Sequence, residues 1–319
     1  MVEIFRSGQI CVTFFFVLSG FVTHLSVRSN WGGARDFWQR KITALGPLYY
    51  ATLLCCVAIE IRNHRFPISS MLADLAMVQA WIPGQQTGLN TPAWFMSALV
   101  FCIAMYPVAR RITGGNGVML FRLSVAYWLF VQAASILLAS FRIEPVPLYW
   151  MYFPLFHLSS FCVGIAACEY HSKSKPSTSD HVRAGRFAIT LILLAICLRF
   201  VGNAPELIQK NARISLFALP FAGLVISVAG LPRSWIRALD KRWINLLGQV
   251  AFPIYLLQEP VYKIIDRVFI KPDHGSMSVP WFGIYLALLC VLGLLWVMSA
   301  EPLLRKAFSS VGRHCGLAR

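Results

Sequence analysis

The sequence predicts an all-α protein, a polytopic bundle of membrane helices with about nine spans and one weaker re-entrant or interfacial helix. Hydrophobic residues make up 57% of the 319 residues and charged residues only 13%, about half the roughly 25% that soluble domains carry. The mean hydropathy is +0.63. The segments that approach the ~20 apolar residues of a span are 8–27, 43–61, 93–109, 117–140, 146–168, 187–202, 214–231, 245–265 and 281–300.

The basic residues in the loops predict how these spans are oriented. The odd-numbered loops and the segment after the last span carry 18 Lys and Arg residues, and the opposite side carries 10. Cytoplasmic loops carry the excess of positive charge, so we expect the odd-numbered loops and the C-terminus to be cytoplasmic. This alternation requires that the weaker apolar segment 68–82, which contains Asp74 and Gln79, does not cross the membrane. It also places residue 1 outside, which a further helix before residue 1 would explain.

Charge and cysteine content exclude several other classes of protein. The net charge of +16 is spread over short loops between apolar segments, so membrane orientation explains it and we expect no nucleic-acid partner. The nine cysteines form no CxxC pair, and all but Cys315 lie in or beside apolar segments, which is typical of small buried hydrophobic residues. No zinc motif, P-loop or Rossmann fingerprint occurs. We therefore expect no bound metal and no bound cofactor.

Polar side chains inside the predicted spans are candidate functional residues, because they are costly there. Each also has a structural interpretation: small residues allow close helix packing, Trp anchors a helix at the interface, and a buried His or Glu can pair within the core. For Glu259 the candidate partners are His157 and Lys263. The candidates are Ser19 beside Gly20, Trp94 with Ser97, His157, and Gln258 with Glu259.

A basic aromatic segment lies at the predicted cytoplasmic entrance of the second span. FWQRKITALGPLYY, residues 37–50, contains Arg40 and Lys41. These two residues either anchor the orientation of the helix or bind an anionic cytoplasmic ligand, such as the phosphates of an acyl carrier. At the same predicted face lie Glu301, Arg305 and Lys306.

Five motifs occur in an order that is itself informative. They are FFFVLSGF (14–21), FWQRKITALGPLYY (37–50), TPAWFMSALVFCIAMYP (91–107), LGQVAFPIYLLQEPVY (247–262) and EPLLRKAF (301–308), and PLFHLSSFCVGI (154–165) adds a weaker match. In this order they resemble the signature segments of the acyltransferase 3 family of membrane O-acyltransferases. The likeness runs from about residue 8 to about residue 308. Each motif alone is only moderately specific, and the ordered set is much more so.

The resemblance implies one integral-membrane domain over residues 1–308 and a cytoplasmic tail at 309–319. It implies an enzyme of the plasma membrane that transfers an acetyl or larger acyl group from cytoplasmic acyl-CoA to a sugar hydroxyl of an envelope or exported glycan. The family's ten-helix core has its histidine base in a helix that would precede residue 8. Ser19 and Gly20 would then face that helix, and we expect little or no catalysis if residues 1–319 are the whole protein.

The resemblance and the span positions together assign roles to residues of this sequence. We expect Arg40, Lys41 and Glu301 to hold acyl-CoA, and Ser19, Trp94 and Glu259 to contact the acceptor. We expect Ser97, His157 and Gln258 to act in catalysis. Ser97 or Gln258 would donate to the oxyanion, and His157 is the mid-span candidate for a base. The sequence departs from the family pattern at Lys41 and Ala44, which replace paired arginines, at Leu99, which replaces an acidic residue, and at Gln258, which replaces a histidine.

Two other functions are compatible with the same sequence features. A multi-span glycolipid transporter or flippase would also place polar residues at mid-membrane. Such transporters are often built from internal repeats, and the two halves of this sequence show no convincing self-similarity. A degenerate family member that binds its ligands without catalysis is the third possibility. Acyl transfer measured in membranes distinguishes the enzyme from both alternatives.

Overall fold

The computed structural model of the protein describes residues 2–29, 31–65, 67–140, 151–173, 179–202, 215–267 and 279–304. This part of the chain contains no β-strand, which confirms the predicted all-α fold. Its helices are α1 (Val2–Ser29), α2 (Ala34–Arg62), α3 (Ile68–Leu75), α4 (Trp94–Ile112), α5 (Gly117–Ser140), α6 (Pro154–Lys173), α7 (Asp180–Gly202), α8 (Ala218–Ala229), α9 (Arg233–Leu239), α10 (Arg242–Ile265) and α11 (Val279–Leu295). Shorter elements are the 3₁₀ turns Gln79–Trp81 and Thr91–Ala93 and the π-helical turn Trp296–Ala300.

Several of these helices have the length and composition of membrane spans. Within the described ranges, six segments qualify: Ile10–Ser29, Ala34–Arg62, Thr91–Ile112, Gly117–Leu137, Asp180–Phe200 and Pro280–Leu304. The chain is therefore a helical membrane protein, as predicted. The other three predicted spans coincide with α6, α8 and α10, which are outside this set, and residues 146–150 lie outside the described part. The number of nine spans stays a prediction.

Segment 68–82 forms the short helix α3 and a 3₁₀ turn. The eight residues of α3 extend only about 12 Å at 1.5 Å per residue, far less than the ~30 Å apolar core of a bilayer, which agrees with the predicted topology. The Tyr49 hydroxyl donates to the Asp74 carbonyl oxygen at 2.6 Å. The Gln79 amide donates to the Tyr49 hydroxyl at 3.2 Å. Tyr49 of α2 therefore holds this segment at two positions, Asp74 and Gln79.

The chain divides into two compact units. The first unit contains Met1–Trp31 and Ser97–Ala238, and the second contains Gly32–Met96 and Leu239–Arg319. Helix α4 begins in the second unit and continues in the first. The single domain expected over residues 1–308 stays a prediction, and the expected tail at 309–319 lies outside the described residues.

Close packing between α1 and α6 characterises the first unit. Gly20 lies against the carbonyl group of Phe161, and Gly164 lies against the carbonyl group of Val17. A Cβ atom at either glycine would collide with the backbone of the other helix, and small residues permit such an approach between membrane helices. The packing interpretation of Gly20 is therefore correct. Its neighbour, however, is α6 and not the helix before residue 1 that the sequence had suggested.

Helix α10 contacts several other elements of the second unit. Pro260 lies inside α10, and because proline has no N–H, the carbonyl of Leu256 loses its usual partner four residues later. The side-chain amide of Asn90 donates to that carbonyl at 3.1 Å. The Leu256 carbonyl that Pro260 leaves without a helical donor thus binds Asn90, in the segment that leads into α4. On another face, α10 packs against α11 through a cluster that contains Val261, Ile265 and Leu289.

Candidate functional site

A cavity in the second unit brings together three of the motifs that carry the family resemblance. Its volume is about 230 Å³. Its lining comes from the N-terminal halves of α2 and α10 and from the π-helical turn after α11 and the residues that follow it. The predicted topology places these parts toward the cytoplasmic face. Glu301 and segment 37–50, which the sequence predicted at one face, both contribute to its walls. The lining residues are Thr43, Ala44, Pro47, Leu48, Gln249, Phe252, Pro253, Trp296, Glu301 and Leu304.

Two prolines free main-chain carbonyl groups at this cavity. Pro47 lies inside α2 and Pro253 lies inside α10, and a proline cannot donate to the carbonyl four residues earlier. The carbonyls concerned belong to Thr43 and Gln249, and both residues line the cavity. Main-chain carbonyls require hydrogen-bond partners when they leave water. Thr43 and Gln249 therefore each carry a main-chain carbonyl that lacks its α-helical donor.

The π-helical turn Trp296–Ala300 brings two large side chains to the same wall. Its hydrogen bond runs from the Glu301 N–H to the Trp296 carbonyl, so these residues lie roughly one above the other. In an α-helix of 3.6 residues per turn they would point about 140° apart. π-helical turns are rare and occur frequently at functional sites. Here the turn allows both Trp296 and Glu301 to line the cavity.

The basic pair predicted to hold donor phosphates lies beside the cavity. Arg40 is exposed, and Lys41 Nζ lies 5.8 Å from the centre of the Phe37 ring, which is a cation–π distance. Both residues precede Ala44 on α2 by about one helical turn, roughly 5 Å. They can therefore contact the anionic part of a ligand whose other end enters the cavity.

Two other predicted residues of the second unit, Trp94 and Gln258, are engaged in packing. Trp94 is 6% exposed, and its ring meets Phe95 edge-on with 6.5 Å between ring centres. The interpretation of Trp94 as an interface anchor stays a prediction. Gln258 is half-buried, and its main-chain carbonyl accepts from the Tyr285 hydroxyl at 3.2 Å. Neither residue is among those that line the cavity.

Glu259 belongs to an ion-pair cluster at the predicted outer end of α10. Lys263 Nζ lies 3.7 Å from its carboxylate, which confirms Lys263 as the partner suggested by the sequence. Lys263 also donates to Glu60 at 3.1 Å and to the Leu89 carbonyl at 2.8 Å. One ammonium group is therefore shared by two carboxylates, and this cluster ties α2 to α10.

The three predicted site residues of the first unit are Ser19, Ser97 and His157. Ser19 is half-buried and Ser97 is 1% exposed. The His157 ring stacks on Phe16 with 4.7 Å between ring centres, and its Nε2 lies 2.8 Å from the Met151 carbonyl oxygen. Because a carbonyl oxygen only accepts, Nε2 carries the proton and Nδ1 carries the lone pair. The tautomer of His157 therefore places its basic nitrogen at Nδ1.

A buried polar cluster in the first unit was not predicted from the sequence. His24 is 3% exposed, and its ring nitrogens lie 2.8 Å from the Tyr106 hydroxyl and 3.1 Å from Glu169 Oε2. A carboxylate only accepts, so His24 Nε2–H donates to Glu169, and Nδ1 accepts from Tyr106. The three side chains form a chain of hydrogen bonds between α1, α4 and α6 near their predicted cytoplasmic ends.

Glu169 is the centre of this cluster. It accepts from Arg28 at 2.6 Å and from Lys173 at 2.8 Å. Gly117 makes room for the carboxylate, since a Cβ atom there would collide with it. These residues share no sequence motif. The sequence signal that could have indicated the cluster is Glu169 itself, a carboxylate directly after predicted span 146–168, where a charge needs a partner.

Asp74 is a buried ionisable group outside the spans and is 1% exposed. Burial raises the pKa of its carboxyl group to about 6, although the Leu89 N–H, which donates to Oδ2 at 2.7 Å, acts in the opposite direction. Gly88 has a φ of +50° and approaches this carboxyl group so closely that a Cβ atom would collide with it. Asp74 therefore closes the loop between α3 and α4 by accepting from its backbone.

Comparisons with known proteins agree with the motif resemblance. The acyltransferase 3 family model, described as an acyltransferase domain, matches residues 1–300. Among curated proteins, the chain is similar to "Acyltransferase MdmB" of Streptomyces mycarofaciens, with 30% identity over 120 residues. That match covers 35% of this chain and 31% of the relative, so the chain spans about a third of the relative's length. No solved structure matches the chain.

Proposed function

Because the chain belongs to the acyltransferase 3 family, we propose that it is an O-acyltransferase of the plasma membrane. Its donor is acyl-CoA on the cytoplasmic side, and its acceptor is a sugar hydroxyl of an envelope or exported glycan. The C-terminus lies in the cytoplasm, in agreement with the distribution of Lys and Arg over the loops.

The cavity of the second unit is the observation that carries this proposal. Three motifs far apart in the sequence meet around it, and its walls combine apolar side chains with main-chain acceptors. Arg40 and Lys41 lie one turn away and carry the positive charge that donor phosphates require. An acyl thioester has this combination of an apolar end, polar amides and anionic phosphates.

The reaction forms a C–O bond to the acceptor and breaks the C–S bond of the thioester, and a proton passes from oxygen to sulfur. The acceptor oxygen attacks the thioester carbonyl carbon, its proton passes to a base, and the CoA thiolate leaves and takes up a proton. His157 is the proposed base, through Nδ1. Ser97 or Gln258 is the proposed donor to the oxyanion. Contacts to the acceptor are proposed for Ser19, Trp94 and Glu259.

Acyl transfer by the full chain in isolated membranes tests the proposal. If His157 is the base, we expect release of free CoA that depends on the glycan acceptor, and acylated glycan detected by mass spectrometry. Gln249→Trp fills the cavity from an exposed position on α10 and should lower kcat/KM for acyl-CoA at least about tenfold, by blocking donor binding. Leu247→Trp is the matched control, because Leu247 is exposed on the same helix and does not line the cavity.

Two outcomes would contradict the proposal. One is equal turnover by the Gln249 and Leu247 variants, which would mean that the donor does not enter this cavity. The other is movement of a glycolipid across the membrane without any acyl transfer, which would favour the transporter.

A further inference from the structure

We propose that the cavity binds the acyl-pantetheine end of the donor, that the acyl group is longer than acetyl, and that Ala44 sets its length. This inference rests on the proposed acyl transfer and specifies its donor. The ligand class is a thioester with an acyl chain of about four to eight carbons, judged from the cavity volume.

The apolar character of the lining determines which end of the donor enters. Most of the lining residues that the structure describes are apolar, and burying a phosphate charge among apolar groups is costly. The phosphates of CoA therefore stay outside, close to Arg40 and Lys41. The uncharged acyl end is the part that can enter. Apolar lining for it comes from Ala44, Pro47, Leu48, Phe252, Pro253, Trp296 and Leu304.

The carbonyls of Thr43 and Gln249 suit the arm that carries the thioester. Pro47 and Pro253 leave both carbonyls without their usual helical donors. The pantetheine arm of CoA contains amide N–H groups, which can donate to such carbonyls. A free fatty acid has no N–H group and would place its own carboxylate beside Glu301. The lining therefore favours a pantetheine thioester over a free acid.

The cavity volume indicates a chain longer than acetyl. A dry cavity of about 150 Å³ is large enough for benzene, a six-carbon ring, and this cavity measures about 230 Å³. An acetyl group and the thioester that follows it would leave part of this space empty, and atoms that line an empty space lose their dispersion contacts. A chain of about six carbons would contact far more of the lining.

Ala44 is the wall position at which a larger side chain would shorten the cavity. It lies on α2 between Thr43 and Pro47, and it contributes only a methyl group. Its side chain is exposed, so a larger residue there need not displace the buried core. Ala58 lies on the same helix, is also exposed, and does not line the cavity. It provides a matched control.

The test measures donor preference with the full chain in lipid nanodiscs. Acetyl-, butanoyl-, hexanoyl- and octanoyl-CoA are compared by thiol release, together with the corresponding S-acyl pantetheines, which lack the phosphates of CoA beyond the arm. Each buried methylene contributes about fourfold, so we expect kcat/KM for hexanoyl-CoA to exceed that for acetyl-CoA at least about tenfold. The pantetheines should show the same length preference with weaker binding.

Substitutions at position 44 then test whether Ala44 determines the preferred acyl length. Ala44→Phe should lower kcat/KM for hexanoyl-CoA at least about tenfold more than it lowers kcat/KM for acetyl-CoA, because the ring occupies the space of the longer chain. Ala44→Leu should act in the same direction with a smaller effect, and it keeps the test valid if the phenylalanine variant does not fold. Ala58→Phe should change neither donor.

A second readout separates this inference from the proposed function. The melting temperature of the wild-type chain should rise more with hexanoyl-CoA than with acetyl-CoA, and Ala44→Phe should abolish the difference. Turnover without length preference, or a preference that neither Ala44 variant alters, would overturn the inference and leave acyl transfer intact. Length-dependent stabilisation without turnover would support the binding site and contradict the enzyme. Absence of both turnover and stabilisation would overturn both.

Discussion

Gly20 of α1 and Gly164 of α6 each accommodate the backbone of the other's helix. Gly20 lies against the Phe161 carbonyl, and Gly164 lies against the Val17 carbonyl. The glycine of the FFFVLSGF motif is thus explained by close helix packing, which the absence of a side chain at both positions permits.

Alanine at either glycine should destabilise the first unit. The added Cβ would collide with backbone atoms, which cannot move aside as a side chain can. We expect Gly20→Ala and Gly164→Ala each to lower the free energy of unfolding by about 1–3 kcal/mol, measured by denaturation in detergent micelles. Gly185 on α7 has open space around it, so Gly185→Ala should leave stability unchanged or raise it by up to about 1 kcal/mol. Equal effects at all three positions would contradict the close contact.

Loss of the Glu169 carboxylate should destabilise the predicted cytoplasmic end of α6. Glu169→Gln would leave Arg28 and Lys173 without the negative charge that they share, although the amide oxygen can still accept one hydrogen bond. Removing one partner of a fully buried pair costs about 3–5 kcal/mol, but the side chains of Arg28 and Lys173 are 40% and 51% exposed, so we expect about 2 kcal/mol. Lys173→Gln, which removes an exposed partner, should cost less than about 1 kcal/mol. Thermal denaturation of both variants would show a reversed order if Glu169 were not the centre of the cluster.

Stability should fall as pH rises from about 4 to about 6. The folded protein holds the Asp74 proton up to a pKa of about 6, whereas the unfolded chain releases it near 3.8. Between these values the folded state binds more protons, so raising the pH destabilises it, by up to about 3 kcal/mol.

Asp74→Asn tests the origin of this pH dependence. Asparagine resembles the protonated acid, and its side-chain oxygen can still accept from the Leu89 N–H. We expect the variant to lose the dependence between pH 4 and 6 and to be more stable than the parent at pH 7. Unfolding curves recorded over this range would reject the assignment if both proteins followed the same profile.

His157→Gln should separate catalysis from packing. The glutamine amide can still donate to the Met151 carbonyl, but it supplies no basic nitrogen. If His157 is the base, acyl transfer should fall by about 10²–10⁴-fold while the melting temperature changes little. Ser159→Ala removes another buried polar group of α6, whose hydroxyl donates to the Phe156 carbonyl, and should leave turnover intact. A glutamine variant that retains turnover would restrict His157 to its stacking on Phe16.

Features that depend on neighbouring residues could be predicted from the sequence. The length of the apolar segments predicted the helical membrane fold. The short helix α3 agrees with the expectation, drawn from the loop charges, that 68–82 does not cross the membrane. Segment 37–50 and Glu301 were placed at one face by orientation alone, and the structure brings both to one cavity. Lys263 was a candidate partner of Glu259 because the two are one turn apart on a helix.

Features that depend on distant residues required the folded chain. His24 and Glu169 are 145 positions apart, and no local pattern relates them. The π-helical turn that directs both Trp296 and Glu301 to the cavity could not be read from WVMSA, because an α-helix fits the same residues. Local composition and charge govern which segments enter a membrane, since that transfer depends on each segment alone. Which side chains then meet depends on how the helices pack, and that is a property of the whole fold.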